Sequence, residues 1–285
     1  MMVTVDKILE KVEDLPSPDF VVQRIVQVAS NPNASAKEVS QVISTDPSLS
    51  SRILKIANSA YYGIPRKISV LSEAVMILGF KTVRNLALSV FTYDRFFKKI
   101  DEKSPIDRKR LWRHFVVTAV IAETLASTVG YPVKEELFIT GLLHDIGKIV
   151  YDVITPRILV SAYEVASRMK KTFTDVESDL GIPHHGIIGA KLLEKWNFPD
   201  LIITTVENHH NPSSARESVY SEIVSMVHIS DVLANLLYPG DSLSFGDPHL
   251  DPEALNDISI KPKGLLNLLE KSKEMISKAK ELLDM

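Results

Sequence analysis

The chain has 285 residues, long for one compact core and short for three, which points to one large domain or two moderate ones. With 45% of residues apolar and 24% charged it can bury a sizeable core, which excludes disorder, collagen-like repeats and low-complexity tracts. The absence of cysteine excludes disulfides, thiolate metal sites and cysteine nucleophiles, and the net charge of -3 (14 Lys+Arg against 11 Asp+Glu before residue 107, 19 against 25 after) lacks the basic excess of a nucleic-acid-binding surface.

Apolar residues recur at helical spacing almost everywhere, and alternating runs with hairpin turns are hard to find, so the fold class predicted is all-α. Pro16 and Pro18 precede a helix over 19–30 that Asn31-Pro32-Asn33 ends. Ser35 with Glu38 has the form of a capping box, and Asp46-Pro47 supplies an N-cap with Pro at the first helical position of a helix running to Ala60. Residues 61–69 read as a loop, followed by helices over 72–78 and 81–97. The polar stretch 98–106 is the best linker. A long helix over 107–129 closes at Gly130, and further helices are predicted at 134–151, 156–170, 184–196, 199–210 and 216–237. The domain reading is therefore an N-terminal helical lobe over 1–104, a second helical lobe over 105–240, an irregular connector over 241–263 and an amphipathic helix over 264–285. On that last helix Leu265, Leu268, Leu269, Ile276, Ala279 and Leu283 share one face, for packing back on the protein or for a homodimer contact.

The chain starts with charged residues and lacks the apolar core of a signal peptide, and no stretch of about 20 apolar residues can span a bilayer, so a cytoplasmic protein with no membrane partner is expected. Neither a P-loop, a GxGxxG nor a helix-turn-helix is visible, and nucleic acid is not expected as a partner.

The informative residues are His114, His144 with Asp145, His185, His209 with His210, and Asp231. His114 faces inward on the long helix, where a lone histidine is ordinarily a satisfied core residue. Asp145 lies in the apolar stretch LLHDIGKIV, where a buried carboxylate needs a partner; His144 or Lys148 could supply one. Gly141 and Gly147 each cost this helix roughly 1 kcal/mol relative to Ala, which signals something close to its backbone. Periodicity puts His185 on the face of Ile188, Leu192 and Trp196 and leaves His184 with Lys191 and Lys195 on the wet face. The His209-His210 pair ends a helix, where imidazolium also suits the dipole. Asp231 shares a face with Val224, Val227 and Ala234, and His228 could satisfy it. His249 has no apparent partner.

Together, several helices would bring imidazoles and carboxylates into an apolar interior without a thiol. Seven such ligands exceed the needs of one ion, and Asp145 could bridge two. Fe or Mn leads among the divalent ions that accept this set, with Zn, Co and Ni as alternatives. Such a pair generates hydroxide at neutral pH and clamps phosphoester oxygens, which makes phosphoester hydrolysis the reaction class that follows.

The order H...HD...H...HH...D resembles the HD superfamily of metal-dependent phosphohydrolases, and in its seven-ligand form the HD-GYP branch. That resemblance implies that His114, His144, Asp145 and Asp231 hold one ion and that Asp145, His185, His209 and His210 hold the second. Lys148 stands where HDxxK carries a phosphate-contacting lysine, which makes Asp145 and Lys148 the catalytic candidates. The chain departs from HD-GYP after the histidine pair, with NPSSARESVYSE in place of a Gly-Tyr-Pro signature. A second resemblance is to the HDOD family, from Leu15 to Pro212. It is carried by LPSPDFVVQRIVQVASNP, VISTDPSLSSRILKIANSAYYG, SVLSEAVMILGFKTVRNLAL and HHGIIGAKLLEKWNFPDLI followed by ENHH. It implies a two-lobed helical bundle and a bacterial signal-transduction role with a signalling protein as partner. The alternative is an active phosphohydrolase or phosphodiesterase acting on a nucleotide or cyclic dinucleotide. In the first half, Asn58 and Tyr61 could bond a ligand or fix their own loop, and Arg52, Lys55, Arg66 and Lys67 could form a basic rim or a solvated face.

Overall fold

The structure, a computed structural model, describes residues 35–98 and 104–285, together with Ile8, Glu10, Lys11 and residues 23–25. Most of the helix predicted over 19–30, and most of the linker, lie outside the described residues. Every regular element among the described residues is helical, as the apolar spacing predicts. Two compact units are present, one built on residues 104–271 and the other on residues 35–98 with 272–285.

In the second of these units, α1 (Ala36–Ser44) starts at the predicted capping box: the Glu38 amide donates to Ser35 Oγ at 3.2 Å and the Ser35 amide to Glu38 Oε2 at 2.7 Å. Helix α2 (Pro47–Ala57) starts at Asp46, whose carboxylate accepts from the amides of Ser48 and Leu49. Its core face is Leu49, Ile53, Ile56 and Ala57. Asn58 closes the following loop on itself, donating to the carbonyls of Leu54 and Ile68 and accepting from the Ile68 amide. Helices α3 (Leu71–Leu78) and α4 (Phe80–Thr92) meet at Gly79, whose φ of +84° suits glycine, and α4 runs into a π-turn at Tyr93–Phe97.

The first unit is organised by α5 (Arg108–Val129), capped by Asp107 and stopped by Gly130 in the left-handed region. It packs against α6 (Lys134–Leu143), and Gly141 makes that approach possible, because a Cβ there would lie 3.0 Å from Ala119 Cα. The single helix predicted over 134–151 is broken. α6 ends at Leu143, His144 and Asp145 form a turn, and α7 (Ile146–Ile154) follows. Gly147, in the first turn of α7, lies so close to the His185 carbonyl that a Cβ would sit 1.9 Å from it.

Next come α8 (Pro156–Met169) and α9 (Phe173–Leu180), a helix absent from the sequence reading. Thr172 caps α9 by accepting from the Asp175 amide, and Gly181 ends it. α10 (His185–Lys195) packs on both α7 and α11 (Asp200–Asn208). A 3-10 turn at Pro212–Ala215 precedes α12 (Ser221–Leu237), which packs on α5 and starts later than predicted. The stretch expected to be an irregular connector contains α13 (Pro252–Asp257) and fully buried Asp241, which accepts from Arg110 and Arg113. The C-terminal segment forms α14 (Pro262–Lys278) and, after a break at Ala279, the short α15 (Lys280–Leu283), which packs on α2. Leu282 is buried there, whereas Leu283, which helical spacing placed on the inner face, is half-buried. Among the described residues no single helix is long and apolar enough to cross a membrane.

Candidate metal centre

Five helix ends or faces of the first unit bring the predicted residues to one place. The α6–α7 break positions His144 and Asp145, α5 supplies His114, α10 opens with His185, α11 ends at His209-His210, and α12 supplies Asp231. His114, His144, Asp145, His185 and His209 are buried, Asp231 is 4% exposed, and His210 reaches the surface with 24% of its side chain. The two oxygens of Asp145 point different ways. Oδ2 lies 3.3 Å from His114 Nε2 and 3.4 Å from His144 Nε2, while Oδ1 lies 2.9 Å from His185 Nε2 and 3.6 Å from His209 Nε2. Asp231 Oδ1 sits 3.1 Å from His114 Nε2, and His210 Nε2 sits 3.0 Å from His185 Nε2.

The ring tautomers follow from the outer hydrogen bonds. His144 Nδ1 donates to the Gly141 carbonyl and His209 Nδ1 to the Val206 carbonyl, both at 2.7 Å. His185 Nδ1 donates to the Glu177 carboxylate at 2.9 Å. In each neutral ring Nε2 is then a bare lone pair aimed at carboxylate oxygens. Asp145 Oδ1 and His209 Nε2 make no hydrogen bond although both are buried. Lone pairs converging on lone pairs at about 3 Å repel, so the cluster calls for cations or protons at its centre. Three groupings among the described residues are compact enough to hold a metal ion: Asp145 with His185, His209 and His210; His114 with His144 and Asp145; and Glu177 with His184 and His185, which shares His185 with the first. This donor set suits a borderline divalent ion.

The buried carboxylates and imidazoles also shift one another's proton affinities. Burial opposes the charged form of His144, but Asp145 and Asp231 outweigh it and push the ring up to about 10. Burial alone would raise Asp145, yet Lys148 and His144 hold it well below the usual carboxylate range. Burial pushes His209 down to about 4, leaving that ring neutral with Nε2 open.

Several neighbours differ from the sequence reading. Lys148 is 2% exposed, and its Nζ donates to Asp145 Oδ2 at 2.6 Å with the Phe173 ring 5.3 Å away. His228 does not serve Asp231: it donates to the His209 carbonyl and accepts from the Asp251 amide, while Asn235 donates to Asp231 Oδ1 at 2.8 Å. His184, one residue before α10, caps that helix by accepting from the Gly186 amide and stacks on His185 at 4.8 Å. Periodicity misjudged its surroundings because it stands outside the helix. His249 has a partner after all, Asp175 at 3.5 Å. Glu177 escaped notice because α9 did; the signal was Thr172-x-x-Asp175 before an apolar pair and Gly181 after it. A cavity of about 530 Å³ opens beside the cluster, and His210 and Asp231 form part of its wall.

The HDOD domain, as a sequence family, matches residues 15–212. The chain belongs to the HDOD family. It is 29% identical over 234 residues to an uncharacterized protein of Treponema pallidum (strain Nichols), a match covering 81% of this chain. The chain spans only 44% of that relative's length, and 30% of the length of the Bacillus subtilis protein YuxH, to which it is 25% identical over 129 residues. Among solved structures, an HDOD domain protein of unknown function from Geobacter sulfurreducens is 25% identical with a TM-score of 0.79, over 98% of this chain and 99% of that one. A candidate phosphohydrolase from Shewanella amazonensis SB2B is 25% identical with a TM-score of 0.74, over 97% of both chains. A candidate signal transduction protein from Marinobacter aquaeolei VT8, 23% identical with a TM-score of 0.73 over all of this chain and 61% of that one, shares the fold.

Proposed function

We propose that this chain is an HDOD signal-transduction protein whose cluster of His114, His144, Asp145, His185, His209, His210 and Asp231 takes up two divalent metal ions. The observation that supports it most is the divided orientation of Asp145, with His114 and His144 beside one oxygen and His185 and His209 beside the other. A metal pair in such a set supplies Lewis acidity and hydroxide at neutral pH. The chain's own residues do the rest. Glu177 and the Gly141 and Val206 carbonyls fix three rings with Nε2 inward, and Lys148 offsets the charge of Asp145 from inside the core.

Hydrolysis of a phosphoester is the second reading, favoured by the cavity that reaches His210 and Asp231. Lys148 does not line that cavity, so in this reading it acts through Asp145 and not by touching a phosphate.

Elemental analysis of protein purified with and without oxygen tests the proposal, beside Asp145→Ala and His185→Ala. About two metals per chain, lost in both variants, is expected. Substoichiometric metal under every loading condition would leave the cluster a packed remnant and would sink both readings. With metal established, turnover of phosphoesters that Asp145→Ala abolishes would favour the enzyme.

A further inference from the structure

The cavity beside the cluster has a wall chemistry of its own. Its polar lining is mostly neutral, with the hydroxyls of Thr174, Ser214 and Ser244 and the amides of Asn208 and Asn211. Two acids, Glu207 and Asp231, and three histidines, His184, His210 and the Asp175-paired His249, also line it, and neither lysine nor arginine does. Cations in the surrounding sequence are committed elsewhere: Lys148 to Asp145, Lys171 to Asp179 and Lys191 to Glu194. Sites built for polyphosphates compensate the added charge with Lys, Arg or a further metal. Here a second or third phosphate projecting from the cluster would meet Glu207 and neither lysine nor arginine. The volume of about 530 Å³ suits a small molecule, and the hydroxyl and amide lining suits an uncharged partner rich in hydrogen-bonding groups.

We infer that the cavity takes an ester carrying a single phosphate on a neutral polar body, a nucleoside or a sugar, and discriminates against polyphosphates. The inference rests on the proposed metal pair, which would receive the one phosphate. Glu207 is then a specificity residue, exposed on α11 and outside the seven-residue cluster.

The test is equilibrium binding to Mn(II)-loaded protein, with metal counted on each sample, using AMP, glucose 6-phosphate, ATP and inorganic phosphate as probes. AMP or glucose 6-phosphate should bind at least tenfold more tightly than ATP and inorganic phosphate, and whichever leads identifies the body as nucleoside or sugar. In Glu207→Lys the preference over ATP should shrink about tenfold at unchanged metal content, an effect that a merely structural role for Glu207 would not produce. Loaded protein that prefers ATP, that binds neither single-phosphate ester better than inorganic phosphate, or that keeps its preference in Glu207→Lys overturns the ligand class and leaves the metal reading standing. Protein that takes up no metal removes the metal reading and the ligand class together, and metal-loaded protein that binds the probes no better than chelator-treated protein overturns the ligand class alone.

Discussion

Glu177 Oε1 is reached by two N–H groups of one residue, the His185 backbone amide at 2.8 Å and the His185 ring Nδ1–H at 3.0 Å, with Oε2 2.9 Å from the same ring nitrogen. The carboxylate therefore fixes the start of α10 and the ring's tautomer at once. Outer partners of this kind commonly contribute about 10- to 100-fold to metal affinity. In Glu177→Gln a neutral amide replaces the carboxylate, and divalent-metal affinity should fall about tenfold or more while circular dichroism still reports a helical protein. Metal titration checks this. Unchanged affinity in a folded variant would mean that Glu177 only packs.

Gly147 is needed where α7 crosses α10. An added Cβ would lie 1.9 Å from the His185 carbonyl oxygen and 3.0 Å from the Gly189 amide nitrogen, both backbone atoms that cannot rotate away. Gly147→Ala should cost about 3 kcal/mol or more, the upper range for overpacking. Gly130→Ala is the comparison: its φ is +73° with nothing within 4 Å, so only the left-handed backbone is penalised, at about 1 kcal/mol. Thermal denaturation should rank Gly147→Ala far below Gly130→Ala. Equal midpoints would contradict the close crossing.

The glycine pair shows what the sequence could convey. Gly141 and Gly147 signalled a close approach within an apolar stretch, and both approaches exist, but the signal said nothing of a break between them. What approaches Gly147 is α10, a partner about 40 residues away, which periodicity within one segment cannot see. The capping box at Ser35, the Asp46 cap and the Gly130 stop were legible because each is decided by neighbours in sequence. Glu177 was not, since its role depends on His185 and its own helix is only 8 residues long. Inward-facing His114, His185 and Asp231 could be read from helical spacing, whereas His228 looked like the partner of Asp231 only because it is one turn away, and its ring turns to the His209 carbonyl and the Asp251 amide.

Metal addition should stabilise the fold. An ion that binds the folded protein and not the unfolded chain adds about 2.7 kcal/mol at a hundredfold excess over its dissociation constant. Buried lone pairs at Asp145 Oδ1 and His209 Nε2, which no hydrogen bond engages, are the atoms where such a gain would arise. Mn(II) or anaerobic Fe(II) should therefore raise the thermal midpoint of chelator-treated protein by several degrees, and EDTA should reverse it. Asp145→Ala should show no rise. A midpoint indifferent to every divalent ion tested would remove the basis for a metal pair.

Asn58 provides a test confined to the other unit. Its amide donates to the Leu54 carbonyl at 2.7 Å and the Ile68 carbonyl at 2.8 Å, and its oxygen accepts from the Ile68 amide at 2.7 Å. It thus closes the loop between α2 and α3 on itself. Asn58→Ala removes the side-chain partner of the Ile68 amide and carbonyl, at a cost of about 2 kcal/mol, while the Leu54 carbonyl keeps the backbone amide of residue 58. Asn58→Asp should be at least as damaging, because a carboxylate would face two carbonyl oxygens and keep only the Ile68 amide as a donor. Neither variant should change metal content, since the seven candidate ligands all lie between residues 114 and 231 in the other unit. Denaturant unfolding beside elemental analysis measures both quantities. Full stability together with lost metal would mean that Asn58 serves the metal centre and not its own loop.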